Sequence, residues 1–304
     1  MRRFHFIVNP AAGRGKALNI WSTISNSLED RAAIEGIPMV MTKSYVHETI
    51  PALDPETILV SVGGDGSAHY AAKEALRLGC GLAIVPGGTG NDMARNLGLP
   101  VDSDALMDML LRGTLQTIDV IRINGNPVFN LAGFGIDAEV VHWIEKHALL
   151  KRVGRMGYGI VVPLVLWKHR WFHAAVRTED NVTYSFTNAS IFAIANGALF
   201  GGGMKIAPTA CPSDGQLDLV IATGLSKLGI LRLFPQIYRG THVSDPSVTY
   251  LKTRRFTIEF SYPLTAAEYD GECYDSPACA EVEVVPELRV LLPVSAVDEP
   301  KSLQ

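Results

Sequence analysis

The chain has 304 residues, with 27 basic and 31 acidic side chains and a net charge of −4. A hydrophobic fraction of 47% against 19% charged residues excludes an intrinsically disordered chain. The slight acidity speaks against a nucleic-acid binder, and the length accommodates two domains of roughly 100–200 residues.

Residues 4–8 form a short apolar segment behind a basic start. A run of only five residues, with His5 inside it and no small-residue cleavage site after it, reads as a strand and not as a signal peptide. A glycine-rich loop, Ala11-Ala12-Gly13-Arg14-Gly15-Lys16, follows and opens a helix over 17–28. Residues 37–41 read as a second strand. Residues 57–62 read as a third and run into Gly63-Gly64-Asp65-Gly66. The helix over 67–78 carries Ala68, Ala71, Ala72, Ala75 and Leu76 at helical spacing and stops at Gly79. A fourth strand, 82–85, precedes Gly87-Gly88-Thr89-Gly90-Asn91-Asp92. Alternation of this kind predicts a mostly parallel sheet with helices on both faces.

Beyond about residue 115 the texture changes. Segments 117–123, 128–131, 174–177, 183–186, 190–195, 217–221, 256–260 and 281–285 read as strands joined by turns, which predicts a β-sandwich. Helices are expected over 140–150 and 225–239. The longest apolar run, 156–167, holds two glycines and a proline and falls short of the ~18–20 residues of a spanning helix. The four cysteines (Cys80, Cys211, Cys273, Cys279) have no metal-ligand spacing and read as reduced thiols, which places the chain in the cytoplasm.

Three glycine-rich loops each follow a strand and open a helix. There the glycines let the backbone approach a ligand, and the helix start offers unpaired N–H groups. A single loop of this kind is equally an ordinary tight connection. Three on one sheet point to phosphate at the carboxyl ends of parallel strands. No Gly-x4-Gly-Lys-Ser/Thr motif occurs. Asp65 and Asp92 in these loops would repel a phosphate unless a cation lies between, so the chemistry is a Mg²⁺–polyphosphate site and phosphoryl transfer.

Asn9-Pro10-Ala11-Ala12-Gly13, Gly63-Gly64-Asp65-Gly66-Ser67 and Pro86-Gly87-Gly88-Thr89-Gly90-Asn91-Asp92 resemble the diacylglycerol-kinase-type lipid kinases, soluble bacterial ones included. The likeness continues through Ile118-Asp119-Val120, Asn130-Leu131-Ala132-Gly133-Phe134-Gly135, Pro212-Ser213-Asp214-Gly215-Gln216-Leu217 and Tyr269-Asp270-Gly271-Glu272. Gly-Gly-Asp-Gly alone is shared with NAD kinases and phosphofructokinases. The resemblance implies an α/β ATP-binding domain over 1–122, joined by a returning strand from about 288–304. It implies a β-sandwich lipid-substrate domain over 123–287, with the site in a cleft between the two.

On the same resemblance, Asn9, Gly13, Thr42, Gly64, Asp65, Gly66, Ser67 and Thr89 match nucleotide-binding positions. Asp65, Asp92 and Asp119 match carboxylates that hold the catalytic Mg²⁺, largely through water. Glu272 matches the base that takes the proton of the lipid hydroxyl. Asp214, with the backbone carbonyls of Cys211 and Gln216, matches a structural Mg²⁺ site. Each has a plainer reading: Asp119 as a solvent-facing acid, Asp270-Gly271 and Asp214-Gly215 as simple turns. Lys16 is a point charge for phosphate or an exposed helix-start lysine. Bacterial members usually carry Asn-Glu where His69 and Tyr70 stand here.

The implied reaction transfers the γ-phosphoryl of ATP to a lipid hydroxyl, with diacylglycerol as the leading acceptor. Sphingoid bases, ceramide, phosphatidylglycerol and polyprenol are the alternatives within the class. NAD as acceptor and a non-catalytic nucleotide- or lipid-binding regulator stand outside it. Lys146, Lys151, Arg152, Arg155, Lys168, His169 and Arg170, with Trp167 and Trp171, fit transient contact with anionic membrane lipid or the solvated face of a helix. Apolar edges in the second domain point to a homodimer.

Overall fold

The computed structural model describes residues 1–147 and 155–294, and side chains outside 148–160. The chain divides into two units, Met1–Ile118 with the chain from Glu287 onward, and Asp119–Pro286. In chain order the elements are β1 (Arg2–Val8), α1 (Lys16–Ile34), β2 (Met39–Tyr45), β3 (Ile58–Gly63), α2 (Asp65–Leu78), β4 (Gly81–Pro86), α3 (Asp92–Asn96), α4 (Ser103–Arg112), β5 (Thr114–Ile123), β6 (Asn126–Val128), β7 (Leu131–Gly135), α5 (Ile136–Lys146), α6 (Arg155–Lys168), β8 (Phe172–Thr178), β9 (Thr183–Ala195), β10 (Leu217–Thr223), α7 (Lys227–Arg239), β11 (Val248–Thr253), β12 (Arg255–Phe260), β13 (Ala267–Tyr269), β14 (Glu272–Tyr274) and β15 (Cys279–Leu292).

The first unit is a parallel sheet in the order β2-β1-β3-β4, completed by the end of β15 through the Val290–Leu82 pair. Strands β3 and β4 are buried along their whole length, as the middle of a helix-covered parallel sheet requires. α1 buries Ala17, Ile24, Leu28 and Ala32, and α2 buries Ala68, Ala71, Ala72 and Ala75. The edge strand β2 lies two residues later than the expected 37–41 and runs to Tyr45. Gly36 adopts φ +67° and the Ile37 N–H bonds to the Ala32 carbonyl, so that segment still closes α1. Its polar Thr42 and Ser44 hydroxyls both contact the His5 ring, at 2.8 and 2.9 Å, a pattern apolar periodicity does not reveal. The sequence patterns above do not include α4, Ser103–Arg112. Asp102 caps it by accepting the N–H groups of Asp104 and Ala105.

The second unit is antiparallel. Its sheet runs β14-β13-β7-β9-β8-β12-β15, and β9 also pairs with β10, which pairs with β11. The expected strands 183–186 and 190–195 are one strand, β9. Asn188, at φ +51°, lies where its pairing with β8 shifts register. Likewise 281–285 and 288–292 are one strand, β15, and Pro286 marks where its pairing changes. Phe134, Phe172, Phe192, Phe256 and Phe260 fill the core, with Phe134 and Phe260 centroids 5.0 Å apart. The expected strand 128–131 is split: Val128 ends β6, Leu131 begins β7, and residues 129–130 interrupt them where the Asp270 carboxylate accepts N–H groups from Phe129, Asn130 and Leu131 at 2.7–3.1 Å. The apolar run 156–167 lies within helix α6, despite Pro163, and no helix among the described residues is long and apolar enough to cross a membrane.

One buried pair sets a pH dependence. Asp137 Oδ2 and Glu268 Oε1 are enclosed beside Gly133, where a Cβ would strike both. Two ionised carboxylates cannot bond to each other, so the pair retains a proton. Burial raises Asp137 to about 6, and burial together with the Asp137 charge lifts Glu268 well above the ordinary carboxylate value. Raised folded-state values mean that the folded protein holds protons the unfolded chain has released. Stability is therefore greatest near pH 4 and falls through pH 6 and above on this account. Glu268→Gln mimics the protonated acid. Calorimetry is expected to give a Tm on the order of 5 °C above wild type at pH 7.5 and little difference at pH 4.5. A Tm difference independent of pH would remove the shared proton from the explanation.

Candidate active site

The three glycine loops sit at the carboxyl ends of β1, β3 and β4, inside the first unit. They are packed on one another. A Cβ on Gly13, which adopts φ +59°, would overlap the Gly87 carbonyl oxygen. A Cβ on Gly88 would overlap the Gly64 backbone. The glycines therefore serve loop-on-loop approach first. Hydrogen bonds fix the arrangement: Gly87 N–H to the Gly63 carbonyl at 2.7 Å, Asn9 Nδ2 to Ser67 Oγ at 2.9 Å, and Gly88 N–H to Asn91 Oδ1 at 2.9 Å.

Helices α1 and α2 start at Gly15 and Gly64 with no side-chain cap. By contrast Asp102 caps α4 and Ser226 caps α7. Uncapped first-turn N–H groups beside open glycine loops are an anion-binding arrangement. Gly66 and Thr89 are exposed there, and Gly13, Gly64 and Asn9 are half-buried. Ser67 is buried, with its hydroxyl on Asn9. Thr42 is on β2 with its hydroxyl on His5, and Lys16 is exposed at the start of α1.

Asp65 opens α2 and reaches across to the start of α3. Its Oδ1 accepts the Met93 N–H at 3.2 Å, and the Asp92 and Asn91 amides also favour its charge. Burial outweighs those amides and holds the carboxyl above its ordinary value. Asp92 is buried, and its Oδ1 meets Arg95 Nη1 at 3.3 Å. Asp65 and Asp92 are thus brought together within the first unit.

Asp119 belongs to the second unit and is no solvent-facing acid: it is 3% exposed. Its Oδ2 accepts the Gly215 N–H at 2.8 Å, and its own N–H donates to the Pro212 carbonyl. Burial raises its carboxyl, with the Gly215 amide opposing and the Asp214 charge adding. Asp119 therefore anchors the loop of Cys211, Asp214 and Gln216. Asp214 Oδ1 accepts the Gln216 N–H at 3.0 Å, and Oδ2 faces Lys252 Nζ at 3.3 Å. Lys252 Nζ also lies 3.3 Å from the buried Asp218. One carboxylate and two carbonyls are the hard oxygen donors that Mg²⁺ takes, with an ammonium competing for Asp214. Among the described residues no three His, Cys, Asp or Glu side chains converge to hold a metal alone. Protein donors would then be supplemented by water or phosphate oxygens.

Glu272 begins β14 and is exposed, with the Tyr274 hydroxyl on its Oε2 at 3.1 Å. The turn before it, Asp270-Gly271, has φ of +51° and +87°, the primed hairpin geometry. That turn is fastened by Asp270 on three amides and by Gly271 N–H on Glu268 Oε2 at 2.9 Å. Asp270 is a fastening group that sequence reasoning passed over as a turn residue. Of the basic run, His169 is buried and paired with Glu139 at 3.1 Å, so it is not a surface base. Trp171 donates its indole N–H to the Leu225 carbonyl. Trp167 is 80% exposed, with Lys227 Nζ 5.7 Å from its ring centroid. Lys151 and Arg152 and the Arg155 side chain lie outside the described residues.

Two family models match successive parts of the chain. The diacylglycerol kinase catalytic domain matches residues 3–123, and the YegS C-terminal NAD kinase beta sandwich-like domain matches residues 130–292. A diacylglycerol kinase of Mycobacterium tuberculosis (strain ATCC 25618 / H37Rv) is 31% identical over 94% of each chain. One of Bacillus subtilis (strain 168) is 26% identical over 73% of each. The crystal structure of a diacylglycerol kinase from Bacillus anthracis str. Sterne shares the fold with a TM-score of 0.66 over 96% of each chain, at 17% identity. The chain belongs to the diacylglycerol kinase-type bacterial lipid kinase family.

Proposed function

We propose that the protein transfers the γ-phosphoryl group of ATP to the hydroxyl of diacylglycerol, forming phosphatidic acid, in a Mg²⁺-dependent reaction. The observation that carries this is the junction of three glycine loops over two uncapped helix starts, with Asp65 at its centre. The loop amides receive the phosphates, and the glycines admit them without side-chain obstruction. Asp65, Asp92 and Asp119 would hold Mg²⁺, largely through water, and the ion would neutralise charge on the β- and γ-phosphates. Ser67 and Asn9 fix the second loop against the first. Glu272 accepts the proton of the acceptor hydroxyl once the phosphoryl group is in transit. Exposed Trp167 and Leu164 (80% and 50%), beside Lys168, Arg170 and Lys227, support docking on anionic lipid in the cytoplasm.

The test is labelled ATP with Mg²⁺ and a panel of diacylglycerol, sphingosine, ceramide, phosphatidylglycerol, a polyprenol and NAD, presented in neutral and in anionic vesicles. Label is expected in phosphatidic acid, with faster turnover and more protein sedimenting on anionic vesicles. Label in another lipid corrects the acceptor. Label in NAD or none at all overturns lipid phosphorylation, and equal sedimentation on both vesicles removes the electrostatic docking face.

A further inference from the structure

His47 and Tyr70 stand at the same end of the parallel sheet as the glycine loops. His47 lies two residues beyond β2, and Tyr70 lies in the second turn of α2, five residues after Asp65. Their rings meet edge to face, with centroids 5.5 Å apart and planes at 61°. Neither ring is committed to the core: His47 is exposed and Tyr70 half-buried. His69, the neighbour on α2, is buried, so Tyr70 is the member of that pair that reaches the surface.

The backbone holds His47 in an uncommon state, φ +72°. The turn is tied from both sides, by the Glu48 N–H on the Tyr45 carbonyl at 3.0 Å and by the Tyr45 N–H on Glu48 Oε2 at 2.6 Å. A left-handed non-glycine residue persists where its surroundings over-determine it, and such positions gather at ligand sites. Burial and then the Glu74 charge push the Tyr70 phenol above its ordinary value. The resemblance implies that bacterial members usually carry a polar Asn-Glu pair at positions 69 and 70. Here the same place offers an aromatic edge and face.

We propose that Tyr70 and His47 form the platform on which the purine base of the bound nucleotide stacks. The inference rests on the nucleotide-site reading and adds the base contact to it. A ring face recognises π-area and reads no particular hydrogen-bond edge. ATP and GTP are therefore expected to bind within a few-fold of each other.

Full-length protein with Mg²⁺ and no lipid is titrated calorimetrically with ATP, GTP and inorganic tripolyphosphate. Tyr70→Ala and His47→Asn are each expected to weaken ATP about tenfold and to leave tripolyphosphate unchanged. Asparagine tolerates the left-handed backbone, so His47→Asn removes the ring without adding strain. Tyr70→Phe is expected to keep wild-type affinity. Wild-type ATP affinity in Tyr70→Ala, or an equal loss in Tyr70→Phe, overturns the platform. So does wild-type protein binding ATP no better than tripolyphosphate, and that result leaves the phosphate site standing. Wild-type protein that binds none of the three overturns the nucleotide reading and the platform with it.

Discussion

Asp65→Asn is expected to lower ATP-dependent lipid phosphorylation by about 10³-fold, with no loss of stability. The second half of that expectation makes the first informative. Asp65 sits where burial disfavours its charge, and the amides of Met93, Asp92 and Asn91 compensate only in part. An acid with a raised folded-state pKa subtracts stability above its unfolded value, so at neutral pH the ionised carboxylate is a liability to the fold. Asparagine keeps an oxygen for the Met93 N–H and removes the charge. Its Tm at pH 7.5 is therefore expected to equal or exceed that of wild type. Loss of turnover together with a stable fold is the signature of a group retained for chemistry at the expense of stability. Labelled-lipid turnover and calorimetry on the same preparation read both quantities. Turnover within a few-fold of wild type would take Asp65 out of the reaction.

The glycine loops were legible because their signal is local. Gly63-Gly64-Asp65-Gly66 and Gly87-Gly88-Thr89-Gly90 each sit between an apolar strand and a helix. What strand and helix periodicity could not convey is that Gly13 packs on Gly87 and Gly64 on Gly88. Those contacts join residues 24 to 74 positions apart and depend on the parallel register, such as Gly63 opposite Pro86. The edge strand β2 was misplaced because its polar Thr42 and Ser44 are satisfied by His5, a contact made only after the strands pair. Phe129 and Asn130 have strand-like neighbours on both sides, but a carboxylate from Asp270 takes their amides and separates β6 from β7. Helix α6 runs against its local sequence signals. Pro163 argues against a helix interior on local grounds, and burial of Val161, Val162, Val165 and Leu166 overrides it.

Four acids, two of them buried and two half-buried, have a common pattern. Asp65, Asp119, Asp270 and Glu268 each accept backbone N–H groups from a segment remote in sequence or from the adjoining turn. Carboxylates used in this way hold loops that carry no regular hydrogen-bond ladder of their own. Asp119 holds the loop of Cys211, Asp214 and Gln216. Asp270 and Glu268 hold the turn before Glu272. In each unit these loops are therefore fixed by side-chain acceptors, and in the first unit glycine supplies the close approach of one loop to another.

That anchoring sets the expectation for Glu272→Gln, a fall in kcat of about 10²-fold with KM for ATP unchanged. General acid–base groups contribute ~10²–10⁴, and a loose, metaphosphate-like transfer places this one at the lower end, because the hydroxyl becomes acidic only late. The substitution is gentle on the fold. The amide oxygen of the introduced glutamine can still accept the Tyr274 hydroxyl, the stacked Tyr269 and Tyr274 rings are untouched, and the turn stays fastened through Asp270 and Gly271. A stability change within about 0.5 kcal/mol is expected for so exposed a side chain. Asp270→Ala provides the contrast. It frees three amides at once, so it is expected to lower Tm and turnover together, whereas Glu272→Gln lowers turnover alone. If Glu272→Gln retains more than half of wild-type kcat, the proton leaves the lipid hydroxyl by another route and Glu272 is a hairpin residue of β14.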